Sequence, residues 1–142
     1  MAWINSLETA FFLYRSRTAL DARSGECRSI LRVARARNAG NGLTGYLHHE
    51  DGRFYQWLEG PAEALQQTGA LIERDPRHQD LDYLWRGTQP QRQFDGWDMG
   101  FGAAKPGSLF DWVAENGVRV GDTVDFARGV LGFMQGALAR GA

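Results

Sequence analysis

Two strand-like runs flank an Asp-Gly turn, and this pairing constrains the fold of the chain more than any other feature. The first run is Leu43 to His49, the second is Arg53 to Glu59, and Glu50-Asp51-Gly52 lies between them. An Asp-Gly pair suits the left-handed backbone of a tight turn, so the runs are predicted to pair as an antiparallel hairpin. Any fold for this sequence must therefore contain a sheet that includes residues 43–59.

The other predicted elements surround this hairpin. In chain order they are a strand from Thr9 to Tyr14, a helix from about Gly25 to Asn38, the hairpin, a helix from Pro61 to about Arg74, and strands at Leu81 to Thr88 and Trp97 to Phe101. This order predicts an α+β, ferredoxin-like βαββαββ fold with one five-stranded mixed sheet. Right-handed crossovers would place both helices on one face of that sheet.

The sequence changes character after Ala103. A short helix is predicted at Ser108 to Glu115 and a longer one at Asp122 to Ala139. The longer helix carries an apolar stripe of Val124, Ala127, Leu131, Met134 and Leu138. We expect it to cover the bare face of the sheet, where alternation places Phe11, Leu13, Tyr55 and Trp57. The prediction is a main domain at residues 1–103 and a helical extension at residues 104–142 that packs on the sheet.

Three polar side chains are predicted to face the core between the helices and the sheet. Gln56 shares a strand face with Leu58, and Tyr14 points inward by the same alternation along the first strand. Asn38 continues the apolar stripe of the first helix, two turns beyond Leu31. An unpaired buried polar group costs about 1–3 kcal/mol. These groups must therefore satisfy one another or the backbone, or bind a planar ligand rich in donors and acceptors.

Composition and charge exclude several classes of protein. The chain has 142 residues, enough for one domain with a sizeable core, and its net charge of -1 gives no electrostatic reason to expect nucleic acid or an anionic membrane. The lone Cys27 cannot form an internal disulfide, which favours a reducing cytoplasm. No basic-then-apolar leader and no apolar stretch approaching about 18 residues is visible. A cytoplasmic location is the expectation.

The signals for catalysis or metal binding are weak. Gly40, Gly42 and Gly45 spell G-x-G-x-x-G, but they follow a helix and open a strand, the reverse of the dinucleotide-binding arrangement. His48 and His49 are adjacent in a strand, so they point to opposite faces and make a poor pair of metal ligands. No set of nucleophile, base and acid stands out. We predict that the protein is not an enzyme and holds no metal.

Five motifs occur in a fixed order along the chain, and together they resemble one known family. They are Leu13-Tyr14-Arg15-Ser16, then Ala36-Arg37-Asn38-Ala39 with Leu43-Thr44-Gly45, then the Phe54 to Gly60 run, then Asp75-Pro76-Arg77-His78, and last Arg92 and Phe94 with Gly96-Trp97-Asp98-Met99. In these motifs and their spacing, the chain resembles the BLUF family, blue-light sensors that use flavin. Leu43 replaces the usual isoleucine of the family, a nearly isosteric change. The segment after Ala103 lies outside the resemblance.

The resemblance implies a blue-light photoreceptor whose flavin, FAD or alternatively FMN, is bound in residues 1–103. By this resemblance, Tyr14 is the photochemical electron donor and Gln56 is the hydrogen-bond switch beside the flavin ring. Asn38 is the amide that grips the pyrimidine edge of the ring. Excitation of the flavin would drive electron and proton transfer from Tyr14 through Gln56, which rearranges hydrogen bonds and leaves no covalent product.

Four more residues take roles from the same resemblance. Arg77 and His78 would help to hold the ribityl or phosphate part of the flavin, although a solvated helix end explains them equally well. Trp97 and Met99 would share a strand face and relay the switch to the sheet. Without the resemblance, these two residues would be interpreted simply as part of the apolar core. The output would pass to an unidentified protein in trans, or through self-association into a homo-oligomer.

A binding module without photochemistry is the competing hypothesis. Tyr55 and Trp57 lie on the sheet face away from the helices, where aromatic side chains stack on bases in RNA-recognition domains. An RNA-recognition-like or other ligand-binding α+β module would use that face. The balance of charge and the apolar stripe of the terminal helix argue against it. A small flavin enzyme is a third hypothesis, but the sequence offers no acid or base poised for a substrate.

Overall fold

The helices and strands occur in the predicted order. The computed structural model describes residues 8–103 and 108–141. Its elements are β1 (Thr9–Arg17), α1 (Gly25–Asn41), β2 (Thr44–Glu50), β3 (Arg53–Gly60), α2 (Ala62–Glu73), β4 (Gln79–Gln89), β5 (Gly100–Ala103), α3 (Ser108–Glu115) and α4 (Thr123–Gly141). Within the described residues, no helix has the length and apolar character needed to cross a bilayer.

The five strands form one mixed sheet in the order β4-β1-β3-β2-β5. The central strand β3 is antiparallel to both β1 and β2, and β2 is parallel to β5. This topology confirms the predicted ferredoxin-like α+β fold. Its register places Gln56 of β3 opposite Tyr14 of β1 on one side and opposite Leu47 of β2 on the other.

Local sequence signals explain how the elements around the hairpin end. Asp51 and Gly52 both have positive φ, 53° and 72°, as the predicted Asp-Gly turn requires. Helix α1 ends at Gly42, which adopts φ 69° and donates its N–H to the carbonyl of Asn38. Gly45 allows close approach of β3, because a Cβ there would lie 2.0 Å from the carbonyl oxygen of Trp57. Gly42 and Gly45 of the G-x-G-x-x-G pattern are therefore explained by a helix cap and a strand contact.

Each face of the sheet has its own apolar core. We call the face under α1 and α2 the inner face and the face under α3 and α4 the outer face. The inner core contains Phe12, Cys27, Leu31, Ala34, Leu58 and Leu65. The outer core contains Phe11, Leu13, Tyr55, Trp57, Phe126, Val130, Phe133 and Met134. The terminal helix thus covers the outer face as predicted, and Tyr55 and Trp57 are too deeply buried to stack on RNA bases.

The stripe that α4 buries differs from the predicted one. Val124 is 52 % exposed, whereas Phe126, Val130 and Phe133 are buried. These three residues follow the same helical spacing but include two aromatic rings, so turning this side towards the sheet buries more apolar surface. Of the predicted stripe, Ala127 and Met134 are buried, and Leu131 and Leu138 lie partly buried beside the same core.

A buried polar pair lies within the outer core. His48 and Glu50 of β2 are each 2 % exposed, and His48 Nε2 lies 2.9 Å from Glu50 Oε1. Burial lowers the pKa of His48 below its ordinary value, an effect that the hydrogen bond to Glu50 partly opposes. The imidazole is therefore neutral near neutral pH and donates from Nε2 to the carboxylate.

Replacing this histidine is expected to reduce the pH dependence of stability. Because the pKa of His48 is depressed in the folded state, the unfolded chain takes up the proton first. The contribution of His48 is thus full above the unfolded pKa of 6.5 and is lost as pH falls towards the folded pKa. Urea unfolding at about pH 7.5 and about pH 5.5 should show a larger loss for the wild type than for His48→Gln, at most about 1.4 kcal/mol per pH unit. Equal losses would contradict this role for His48.

Candidate functional site

A tyrosine and a glutamine form a hydrogen-bonded pair on the inner face of the sheet. Tyr14 on β1 donates its hydroxyl hydrogen to Gln56 Oε1 on β3. Both side chains are buried, and burial raises the pKa of Tyr14 far above its ordinary range. The phenol therefore remains protonated and acts as the donor. On its other side, Gln56 Nε2 lies 3.7 Å from the sulfur of Met99.

This pair lies at the base of a cleft between α1 and α2. The cleft contains about 600 Å³ of empty space, a volume that includes its open mouth. Its apolar walls include Ile30, Ala34, Leu47, Phe54 and Ile72. Its polar lining consists of Tyr14, Gln56, Arg37, Asp75, Arg77 and His78. Apolar walls with a few polar groups suit a flat, heteroatom-rich ring.

Asn38 adjoins the cleft, although it is not among the lining residues. It is fully buried, and its Nδ2 donates to the carbonyl of Asp98 over 2.7 Å. Its Oδ1 is buried and has no hydrogen-bond partner among the described residues. The same holds for Nε of Arg37, which does line the cleft. Each unpaired group costs about 1–3 kcal/mol, so a buried donor and a buried acceptor on consecutive residues of α1 favour a ligand that supplies their partners.

Arg37 is the cleft residue that the sequence argument missed. It lies outside the apolar stripe that identified Asn38, so helical periodicity gave no reason to place it in the core. The available signal was its place in the motif Ala36-Arg37-Asn38-Ala39, directly before the buried amide. A carbonyl acceptor on Asn38 and an N–H donor on Arg37 match the alternating N–H and carbonyl groups of a flavin pyrimidine edge. The residues present therefore fit a bound flavin.

Arg77 lines the cleft but is already paired. Its Nε and Nη2 bond to the two carboxylate oxygens of Asp75 over 2.9 and 2.7 Å, and its guanidinium holds the pKa of that carboxyl below its ordinary value. The pair is charge-balanced, and the Arg77 side chain remains 38 % exposed. The guanidinium can therefore offer a cofactor only its remaining N–H groups, and a role for Arg77 in holding the flavin stays a prediction.

His78 has both ring nitrogens engaged. Its Nε2 donates to the carbonyl of Ile72 over 2.7 Å, which leaves Nδ1 to accept from the hydroxyl of Ser16, also over 2.7 Å. Its ring lies 5.8 Å from the ring of Tyr14, measured between centroids. The arrangement fixes the floor of the cleft around Tyr14. Any contact of His78 with a cofactor would therefore be made by the face of the imidazole ring, because both nitrogens are already hydrogen-bonded.

The structure corrects the predicted strand at Trp97 to Phe101. Pairing between β2 and β5 begins at Tyr46 and Gly100, so Trp97 and Met99 precede the strand and share no strand face. Met99 is buried against Gln56, whereas Trp97 is 40 % exposed. Before Gly100 the backbone bonds to both β2 and α1: the carbonyl of Trp97 accepts from Gly45 N over 3.0 Å, and that of Met99 accepts from Arg35 Nε over 3.0 Å.

A buried carboxylate anchors the loop that leads into this segment. Glu59 of β3 accepts hydrogen bonds from Thr44 Oγ1, Trp57 Nε1, Gln93 N and Phe94 N at 2.7–2.9 Å. Arg92 donates to the hydroxyl of Thr44 over 3.0 Å. The residues before Trp97 are thus fixed to the sheet. Met99 therefore lies between this anchored loop and β5.

Comparison with known proteins agrees with this geometry. Over 53 residues the chain is 45 % identical to the photoactivated adenylate cyclase subunit beta of Euglena gracilis, covering 37 % of this chain and 6 % of that protein. Over 82 residues it is 32 % identical to the blue light- and temperature-regulated antirepressor BluF of Escherichia coli K12, covering 58 % of this chain and 20 % of that protein. The chain thus corresponds to a small part of each of these relatives.

Solved structures show the same fold. The dark-state structure of BlrB, a BLUF protein, matches with a TM-score of 0.73 and 28 % identity over 88 % of this chain and 96 % of that one. Klebsiella pneumoniae BlrP1 with FMN and cyclic diGMP matches with a TM-score of 0.61 and 32 % identity over 67 % of this chain and 26 % of that one. The family profile described as BLUF, sensors of blue-light using FAD, matches residues 10–100. The chain with the buried Tyr14–Gln56 pair therefore belongs to the BLUF family of blue-light sensors that use FAD.

Proposed function

We propose that this chain senses blue light through the Tyr14–Gln56 hydrogen bond and signals to a separate protein. The observation that carries the proposal is the placement of this buried pair at the base of a cleft that fits a flavin. The sensor domain would be residues 1–103, and residues 104–142 would form the extension through which the signal leaves.

Named residues would hold the flavin. The Asn38 amide and the Arg37 guanidinium would bind the pyrimidine edge, because each has a buried atom that lacks a partner among the described residues. The apolar walls of the cleft would pack on the ring faces, and Arg77 with His78 would lie towards the ribityl and phosphate part. When bound, FAD supplies blue-light absorption and an excited state that takes up an electron and a proton. FMN remains the alternative cofactor for this chain.

The switch would operate within the Tyr14–Gln56 pair. Burial keeps Tyr14 protonated, so on losing an electron its hydroxyl releases the proton along the hydrogen bond to Gln56 Oε1. A proton accepted at Oε1 would allow one to leave from Nε2 towards the flavin, and return of one electron and one proton to Tyr14 would restore the phenol and leave the amide rotated or as a tautomer. A rotated amide would differ from the starting state only in its hydrogen bonds, and a tautomer would differ also in the position of one amide proton. Neither form is bonded covalently to the flavin, so the change would be reversible.

A rearrangement of the Gln56 amide would act directly on Met99. In the present arrangement Gln56 Nε2 is 3.7 Å from the Met99 sulfur, a weak acceptor. An amide that turns its oxygen towards this sulfur loses that contact. Because Met99 immediately precedes β5, a displacement there would act on the edge strand. A rearranged hydrogen bond is worth only about 0.5–1.5 kcal/mol net, so light can act only on states that are already nearly balanced.

We also propose that the chain is a sensor and not an enzyme. The residues lining the cleft include no nucleophile with a neighbouring base, and the pair there is suited to moving a proton within itself. The output would pass to a protein in trans or through a homo-oligomer, without nucleic acid or membrane. The free, buried Cys27 favours a cytoplasmic location.

The first test is an absorption spectrum before and after light. Protein purified in the dark is expected to be yellow, with the absorption of bound flavin, and blue light should shift this absorption reversibly to longer wavelength. A sample kept in the dark throughout is the control. Absence of flavin would contradict the cofactor assignment, and bound flavin without a shift would favour the ligand-binding module without photochemistry.

A further inference from the structure

We propose that Glu50, supported by His48, is the contact that carries a change at β5 to α3 and α4, an inference that rests on the proposed light-sensing function. The two residues lie on the outer face of the sheet, opposite the cleft, and neither is needed to bind the flavin or to form the Tyr14–Gln56 pair. Their position between a strand of the sensor and the C-terminal helices is what requires an explanation.

Glu50 ties the start of α3 to the sheet. Its Oε1 accepts from Leu109 N over 2.8 Å and from Ser108 Oγ over 3.1 Å, in addition to His48 Nε2. Leu109 N is among the first N–H groups of a helix, which have no partner within the helix. A carboxylate at that end also interacts favourably with the helix dipole. A residue of β2 thus caps a helix that follows β5 in the chain.

The same pair also contacts α4. The ring of His48 packs edge-to-face on Phe133, with 4.8 Å between centroids. Phe133 in turn lies 6.3 Å from the ring of Trp112 on α3. Gly132 permits this packing, because a Cβ there would lie 3.0 Å from the Trp112 ring. A shift of His48 or Glu50 would therefore change the packing of both C-terminal helices.

The sheet connects this pair to the switch. Leu47 pairs with Gln56 of β3 and with Phe101 of β5, and the next residue, His48, pairs with Gly102 of β5. The backbone of β5 passes directly beside the imidazole, since a Cβ on Gly102 would lie 3.2 Å from His48 Nδ1. A displacement of β5 relative to β2 must therefore be accommodated at His48 and at the Glu50 contact with α3.

The contact is also incompletely satisfied, which suits a switch. Glu50 Oε2 is buried and has no hydrogen-bond partner among the described residues. An unpaired buried oxygen raises the free energy of this arrangement. That cost narrows the free-energy gap to an alternative arrangement in which Oε2 finds a partner, as the small energy available from a rearranged hydrogen bond requires.

The test compares Glu50→Gln with Asp111→Asn, which removes the same charge from an exposed residue in the first turn of α3. Two quantities are measured on dark and illuminated protein: the shift in flavin absorption, and hydrogen exchange along α3 and α4. In the wild type and in Asp111→Asn, light should change protection in both helices. Glu50→Gln should keep the full absorption shift and lose most of that change in protection.

His48→Gln provides a second variant, because it retains Glu50 and its bonds to α3 while removing the ring that contacts Phe133. It should reduce the light-dependent change in α4 more than in α3. A pair that only stabilised the fold would lower protection equally in the dark and in the light. The inference is overturned if Glu50→Gln or His48→Gln retains the wild-type difference, or if the wild type shifts its absorption without any change in α3 and α4. A wild type without an absorption shift would instead contradict the proposed function itself.

Discussion

Asn38→Ala is expected to purify with little bound flavin. Asn38 is fully buried, and its Oδ1 has no partner among the described residues, so a ring carrying an N–H group would supply the missing donor. Removing the amide leaves that ring N–H group unpaired in a dry site, at roughly 1–3 kcal/mol. The loss would weaken binding by about fivefold to more than a hundredfold. The ratio of flavin absorbance to protein absorbance in the purified variant measures the effect.

Asn41→Ala is the matched control, because Asn41 is the exposed last residue of the same helix. It should retain the wild-type flavin content. Asn38→Ala also removes the bond from Asn38 Nδ2 to the Asp98 carbonyl, so thermal unfolding of both variants without flavin separates loss of the fold from loss of the flavin contact. An unchanged flavin ratio in Asn38→Ala would refute the assignment of this amide to the ring.

The fold was predictable because its signals are local. Asp51 and Gly52 fix the hairpin by their positive φ angles, and Gly42 ends α1 with a left-handed cap. Two-residue alternation then assigns each strand residue to a face, which correctly separated Tyr14 and Gln56 from Tyr55 and Trp57. Right-handed crossovers placed both helices on one face of the sheet, so the strand residues on that face were expected to lie beneath them.

The predictions from sequence were wrong where side chains that are distant in sequence determine the backbone conformation. The sequence predicted a strand at Trp97 to Phe101, yet the carbonyls of Asp98 and Met99 accept hydrogen bonds from Asn38 and Arg35 of α1. These partners are about 60 residues away in sequence, and no local pattern reveals them. The same applies to Glu59, whose charge gave no hint that it would be buried beneath the loop at residues 92–94.

The candidate site was predictable only in part for a related reason. The predicted convergence of three polar side chains holds for Tyr14 and Gln56, which bond to each other, whereas Asn38 bonds to the Asp98 carbonyl instead. Helical periodicity correctly placed Asn38 in the core but could not show which of its atoms would stay unpaired. Which groups lack partners is a property of the packed structure, and that property is the strongest indication of the ligand.

Tyr14→Phe and Gln56→Leu are each expected to bind flavin and to lose the light-induced red shift completely. Tyr14→Phe keeps the ring that packs against Phe12 and removes only the hydroxyl. Gln56→Leu retains most of the side-chain volume and removes the acceptor of the Tyr14 hydroxyl. Each variant leaves one buried polar group unpaired, at about 1–3 kcal/mol, so folding should survive. Absorption spectra before and after blue light provide the measurement.

Tyr83→Phe is the control that tests whether the red shift requires the Tyr14 hydroxyl in particular and not another nearby phenol. Tyr83 lies on β4 with its ring 6.4 Å from that of Tyr14, and its hydroxyl interacts with Glu73 and not with Gln56. If the switch depends on a proton released along the bond from Tyr14 to Gln56 Oε1, Tyr83→Phe must keep the red shift, since the Tyr83 hydroxyl is hydrogen-bonded to Glu73. Loss of the shift in Tyr83→Phe together with its survival in Tyr14→Phe would move the electron donor to β4. A reversible, wild-type-like shift in both Tyr14→Phe and Gln56→Leu would rule out the proposed switch.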